Sequence, residues 1–117
     1  MLFYVLLFPL FYTLTLENIT WLTSDTHDFG TFKSKEVRYT FSFRNDTDQP
    51  VLIEGTRTTC GCTVPAWEES PILPDSTGSI EVTYDGKRRG YFHKKIMVFF
   101  NHQRKPENLW ITGYVED

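Results

Sequence analysis

At 117 residues the chain is one domain long, and with 40% hydrophobic and 16% aromatic side chains it is too apolar to stay disordered. Its formal net charge of -3 is mild and rules nothing in by itself. The charge is unevenly spread, however. Lys87, Arg88, Arg89, Lys94, Lys95, Arg104 and Lys105 fall between Gly86 and Pro106 with no acidic residue among them, so the rest of the chain is strongly acidic.

Met1 to Leu16 carries no charged side chain, and Met1 to Tyr12 is an apolar run broken only by Pro9. That length suits the apolar region of a signal peptide and falls short of the roughly 20 residues a spanning helix needs. A buried first strand of this kind would need cover on both faces, which a small domain rarely provides. The expectation is a leader over 1–16, either a signal peptide or a membrane anchor, followed by one domain over 17–117. No Lys or Arg precedes the run, no small-x-small cleavage site precedes Glu17, and no cysteine follows to take a lipid. Export would put the cysteines of the domain in an oxidising compartment.

Ile19 to Thr23 predicts a short first strand, and His27 to Phe32 follows with Gly30 free to take a positive φ and turn the chain. From Val37 to Arg44 the alternation is strict. Val37, Tyr39, Phe41 and Phe43 share one face and Arg38, Thr40, Ser42 and Arg44 the other, the period of a strand with one face in a core. Asn45 to Pro50 is a turn cluster, and Val51 to Arg57 begins apolar and fades to polar, as a strand does on leaving the core. Pro65, Pro71 and Pro74 punctuate a loop that includes Trp67, Glu68 and Glu69, excluding a helix or an inner strand there.

Ile80, Val82 and Tyr84 alternate with Glu81, Thr83 and Asp85 in a further strand. Tyr91 to Phe100 is long, β-branched and aromatic, and Leu109 to Val115 is the last strand. No stretch repeats apolar residues at helical spacing, so no helix is expected. Strands of six to nine residues joined by turn clusters predict an all-β sandwich, preceded by the hydrophobic leader.

The two cysteines stand in Thr59-Cys60-Gly61-Cys62-Thr63-Val64-Pro65. In an extended segment residues i and i+2 point the same way, so both sulfurs would lie on one side. Three chemistries are open to them. A bridge within Cys-Gly-Cys would be strained by the close spacing and readily reduced, which suits thiol exchange better than structure. Paired thiolates could bind a soft metal such as Cu(I), whereas zinc would want four ligands. His27, His93 and His102 could complete such a site, although an ordinary surface or packed position is the simpler explanation of each. Both thiols could instead pack as small hydrophobes at an end of the sandwich.

Other catalytic arrangements find no support. His27-Asp28 has no serine in a nucleophile elbow to work with, Glu68 and Glu69 are adjacent and point apart, and no glycine-rich phosphate loop occurs. The expectation is therefore a domain that is not an enzyme.

Four segments, in order, carry a family resemblance: His27-Asp28-Phe29-Gly30-Thr31-Phe32, Tyr39 to Asn45, Cys60-Gly61-Cys62-Thr63-Val64-Pro65, and Ile72-Leu73-Pro74 followed by Gly78 to Tyr84. Over roughly Thr26 to Val115 the chain resembles the DUF1573 family of small exported bacterial domains, frequent in Bacteroidetes. The resemblance implies an immunoglobulin-like antiparallel sandwich related to domains of the ASH and major-sperm-protein type. It also implies a place in the periplasm or cell envelope and no established biochemical activity, in a wider group whose members mostly bind or scaffold.

The leading expectation is a non-enzymatic, exported binding or scaffolding domain with no cofactor, meeting the membrane only through its leader. Its partner would be a protein or an anionic envelope component, with nucleic acid disfavoured by export. The partner-facing candidates are the basic strand pair around Lys87, Arg88, Arg89, Lys94 and Lys95, and the loop carrying Trp67. A simpler reading makes the same cations a solvated edge hairpin, since such residues blunt exposed sheet edges. The alternative function is a thiol redox or soft-metal module built on Cys60 and Cys62.

Overall fold

The computed structural model describes residues 18–117; the leader expected over 1–16 lies outside them. Eight strands follow in order: β1 (Ile19–Trp21), β2 (Thr26–Lys33), β3 (Val37–Asn45), β4 (Ile53–Thr58), β5 (Thr63–Trp67), β6 (Thr77–Tyr84), β7 (Gly90–Phe100) and β8 (Glu107–Glu116). They form two four-stranded sheets, ordered β1-β3-β6-β5 and β2-β8-β7-β4. No helix occurs among the described residues, and the architecture is the expected immunoglobulin-like sandwich.

The alternation in the sequence builds the core. Phe41 and Phe43 from β3 and Ile80, Val82 and Tyr84 from β6 face Phe92, Ile96, Val98 and Phe100 from β7. Leu109, Ile111 and Val115 from β8 complete the layer. Burying each such side chain contributes about 1.5–3 kcal/mol, which is what holds the two sheets face to face. At one end Trp21, Phe43 and Phe100 interlock edge to face, with Trp21 and Phe43 ring centroids 5.4 Å apart. Toward the other end Phe92 stacks on Tyr84 at 4.0 Å. Gly113 makes that stack possible, because a Cβ there would stand 2.8 Å from the Phe92 ring.

The same first end is closed by Asn45, which is fully buried. Its Nδ2 donates to the carbonyls of Gln49 and Ile72, each at 2.8 Å. Its Oδ1 accepts from the Thr47 N–H at 2.9 Å and the Thr47 hydroxyl at 2.7 Å. Every polar valence of the side chain is used, so the turn after β3 and the loop before β6 are pinned to one point.

Four details depart from expectation. Gly30 does take a positive φ of 72°, but the chain does not turn there; a bulge between Asp28 and Thr31 keeps the strand going. Pro65 lies in a strand, not a loop. Strand β5 is an edge paired only with β6, where a residue lacking an N–H is tolerated. Strand β2 runs parallel to β8, the one parallel pair among the described residues of a sandwich otherwise antiparallel. The two come from opposite ends of the chain, so no tight turn dictates their relative direction.

The fourth departure matters most for function. The cations after Gly86 do not form an edge hairpin. Strand β6 belongs to one sheet and β7 to the other, so Lys87, Arg88 and Arg89 lie on a connection between sheets. Strand β7 lies between β8 and β4, which places Lys94 and Lys95 on an interior strand.

Candidate functional site

Strand β4 ends at Thr58, and the chain crosses from one sheet to the other through Thr59 to Cys62 before β5 begins. The Thr63 N–H donates to the Cys60 carbonyl at 3.2 Å, which closes the crossing into a tight turn. The Thr58 hydroxyl braces it by donating to the same carbonyl at 3.1 Å. Cys60 and Cys62 therefore share a side because of a turn, not because of strand alternation as expected. Their sulfurs are joined in a disulfide with Cα atoms 5.2 Å apart. Gly61 has no special backbone duty: its φ is not left-handed, and a Cβ there would meet nothing within 4 Å.

Two contacts tune the sulfurs. The Cys62 N–H lies 3.1 Å from Cys60 Sγ and donates to it. Cys62 Sγ is 3.7 Å from the Thr63 hydroxyl, and the Cys62 side chain packs against the core. The turn is tied to the neighbouring connection as well, since the Asp85 N–H donates to the Cys62 carbonyl at 2.9 Å. Gly86 follows with a φ of 65°, and a Cβ on it would fall 1.9 Å from the Lys35 carbonyl oxygen. Only glycine fits there, so the path of the β6–β7 connection past the disulfide is fixed.

That path makes a cleft of about 280 Å³ lined by Cys60, Cys62, Tyr84, Asp85, Lys87, Arg88 and Lys94. Its floor includes Tyr84, which sits on Phe92. Burial raises the Tyr84 hydroxyl above its ordinary pKa of 10.0, with Asp85 adding to the effect, so the ring stays neutral.

Lys94 reaches the cleft from an unusual position. Phe92, Ile96, Val98 and Phe100 are the core-facing residues of β7, and Lys94 is in phase with them. It is half-buried, opposite Ile111 of β8. Strand β4 pairs only as far as Ile96, so at Lys94 the core opens toward the Cys60–Thr63 turn. The long apolar stem of a lysine can lie along such a wall while its ammonium reaches water. None of the ion pairs among the described residues involves Lys87, Arg88 or Lys94. Among the described residues Asp85 is the single carboxylate in the cleft, and its Oδ1 accepts the Lys87 backbone N–H at 3.1 Å.

The structure thus joins two groups of candidates that lie apart in the sequence, Cys60 with Cys62 and Lys87, Arg88 with Lys94. It separates the others from them. Arg89 pairs with Asp117, and Lys95 points to the outer face of its sheet, 5.6 Å from the Trp110 ring centroid. Trp67 is at the far end of β5, beside Leu52, Glu54 and Glu69. The basic strand pair expected from the sequence is a cluster of three cations plus two unconnected ones.

The histidines do not reach the sulfurs. His27 stacks on Tyr39 at 3.7 Å, with burial pulling its pKa below 6.5 against the opposing pull of Asp28. Asp28 itself accepts the Gly30 N–H at 2.9 Å and shapes the bulge. His93 lies against Trp110 on the outer face, and His102 sits beyond β7 near Phe100. Among the described residues no three His, Cys, Asp or Glu side chains gather as a metal site would require.

Sequence reasoning missed Tyr84 and Asp85 as parts of the cleft, and missed what is distinctive about Lys94. A signal for the last was present. In β7 a lysine occupies the phase otherwise held by Phe92, Ile96, Val98 and Phe100, where an apolar residue would be expected.

An immunoglobulin-like sandwich with an open basic cleft at one end defines the class, one of small β domains. Within it, residues 20–115 match the family model described as a protein of unknown function, DUF1573, and the chain belongs to that family. No curated protein matches the sequence. Among solved structures, a protein of unknown function from Porphyromonas gingivalis W83 superposes with a TM-score of 0.70 at 13% identity. The match covers 87% of this chain and 49% of that one, so the chain spans about half the length of that relative. The ASH/PapD-like domain 7 of human CEP192 superposes with a TM-score of 0.71 at 9% identity, covering 97% and 95%. WR4, a major-sperm-protein family member from C. elegans, gives 0.55 at 6% identity, covering 85% and 96%. At these identities the likeness is one of fold.

Proposed function

We propose that the protein is a non-enzymatic binding domain of the bacterial cell envelope that holds an anionic partner in the cleft beside Cys60 and Cys62. The observation that carries this reading is Lys94. Its stem holds core-facing phase on β7 while its ammonium stands at the open cleft, and among the described residues no carboxylate pairs with it. Such a residue contributes little to folding, and an external anion would supply the pairing it lacks. Lys87 and Arg88 add charge on the same cleft, where Asp85 is the one opposing carboxylate among the described residues. A volume of about 280 Å³ admits a side chain or a small head group rather than a helix or strand. The partner that fits is a protein presenting acidic side chains from a loop. Sandwich domains of the ASH and major-sperm-protein type share the fold, which is consistent with a binding role.

The test is binding of a short polyglutamate peptide at low ionic strength, followed by backbone amide shifts. The expected shifts centre on Cys62, Asp85, Lys87, Arg88 and Lys94, and the double charge reversal Lys87→Glu with Arg88→Glu reduces affinity at least about tenfold. Shifts centred on Trp67 or on the outer face around Trp110, with affinity untouched by the reversal, would refute the assignment.

A further inference from the structure

The cleft that brings three cations together also exposes a disulfide, and binding alone gives that bond no task. Both sulfurs line the cavity alongside Lys87, Arg88 and Lys94. The geometry points to a redox function: the Cys60–Cys62 disulfide exchanges with small thiols that carry a negative charge, which the three cations draw to the sulfurs. The inference rests on the cationic cleft of the preceding section and adds to its binding role a stoichiometric exchange with a second, smaller class of anion.

The exchange needs no reagent other than the thiol. An incoming thiolate, RS⁻, attacks Cys62 Sγ; the new RS–Sγ bond forms as the Cys60–Cys62 bond breaks. The electron pair leaves on Cys60 Sγ, the sulfur to which the Cys62 N–H already donates at 3.1 Å. A hydrogen bond to sulfur and nearby cations both favour the thiolate, which makes Cys60 the better leaving group. A second RS⁻ then attacks the sulfur of the bound R group, releasing RSSR and leaving Cys62 as a thiolate. Two electrons pass from two thiols to the protein, which ends as a dithiol. Run in reverse, the dithiol reduces RSSR.

Charge selects the substrate in this scheme. Coulomb attraction from Lys87, Arg88 and Lys94, only partly offset by Asp85, raises the local concentration of an anionic thiol and stabilises negative charge as it passes between sulfurs. A carboxylate or sulfonate on the thiol would meet the ammonium of Lys94 or the guanidinium of Arg88 while its sulfur faced the bridge. Because Cys62 packs against the core, the approach is confined to the cleft side.

The experiment follows reduction of the intact oxidised protein by three thiols of similar size: anionic mercaptoethanesulfonate, neutral mercaptoethanol and cationic cysteamine. Each rate, taken at equal thiolate concentration, is divided by the rate of the same thiol on hydroxyethyl disulfide, which removes intrinsic nucleophilicity. The expected result is that the anionic thiol is favoured over the cationic one by at least about tenfold, collapsing toward parity in high salt. The triple variant Lys87→Gln, Arg88→Gln, Lys94→Gln should lose the preference, and the salt series on the unaltered protein decides the matter if that variant folds poorly. Equal normalised rates, with polyglutamate still bound at the cleft, would overturn the exchange reaction and leave the binding role standing. Equal rates with no polyglutamate binding would overturn both.

Discussion

The two ends of the sandwich handle polar groups in opposite ways. At the Asn45 end a buried amide makes four hydrogen bonds and leaves nothing over, and Trp21, Phe43 and Phe100 seal it. At the Cys60–Cys62 end three cations converge on a cleft without an ion-pair partner among the described residues, and the floor is a neutral tyrosine. The first end has the logic of stability, since satisfied burial holds loops in place. The second leaves interactions unmade within the chain, which is how a surface is kept available for something outside it. Comparing them teaches that buried polarity is not itself a sign of function. Unpartnered buried polar atoms occur away from the cleft as well, at Trp67 and His102, so what marks the functional end is a convergence of like charges with no carboxylate paired to them among the described residues.

The comparison can be broken from either side. The largest effect belongs to the closed end. Asn45→Ala leaves the Thr47 N–H without a partner and takes one of two donors from each of the Gln49 and Ile72 carbonyls, and should cost about 3 kcal/mol in urea unfolding while cleft binding persists in the fraction that remains folded. Next is Gly86→Ala, which forces a Cβ onto the Lys35 carbonyl and a strained φ on alanine. It should cost about 2 kcal/mol, and unlike Asn45→Ala it should also weaken polyglutamate binding by shifting the connection that carries Lys87 and Arg88.

The smallest effect is one of pH. The His27 pKa is lowered by burial, so the unfolded chain takes up its proton at a higher pH than the folded one. Stability should therefore decline as pH falls through 6.5, and His27→Gln should flatten that slope. At lower pH a second decline belongs to Asp46, whose pKa the Arg44 and Thr20 hydrogen bonds hold down and whose protonation breaks the Arg44 pair. Chemical denaturation at stepped pH reads both.

Much of the fold was legible in the sequence because local alternation and global burial agree. Val37 to Phe43 and Ile80 to Tyr84 read as strands with one apolar face, and that face is the core. Gly30 and Pro65 were harder. Each is a turn-former by composition, and each sits in an edge strand, where a bulge or a missing donor costs little. Adjacency of the cations in sequence suggested one basic hairpin, but strand parity sends Lys94 inward and Lys95 outward, and the crossing between sheets sends Arg89 toward Asp117. The convergence of Cys60 and Cys62 with Lys87, Arg88 and Lys94 depends on β4 stopping at Thr58 and on the register of β7, and neither can be read from a single segment.

The central claim is that the inward lysine serves a partner rather than the fold. Calorimetric titration of polyglutamate into Lys94→Met and Lys95→Met, paired with urea unfolding of each, tests it most directly. The account predicts that Lys94→Met is as stable as the parent, or up to about 1 kcal/mol more so, yet loses binding, while Lys95→Met binds normally. A Lys94→Met protein that is clearly destabilised, or that binds as well as Lys95→Met, would contradict it.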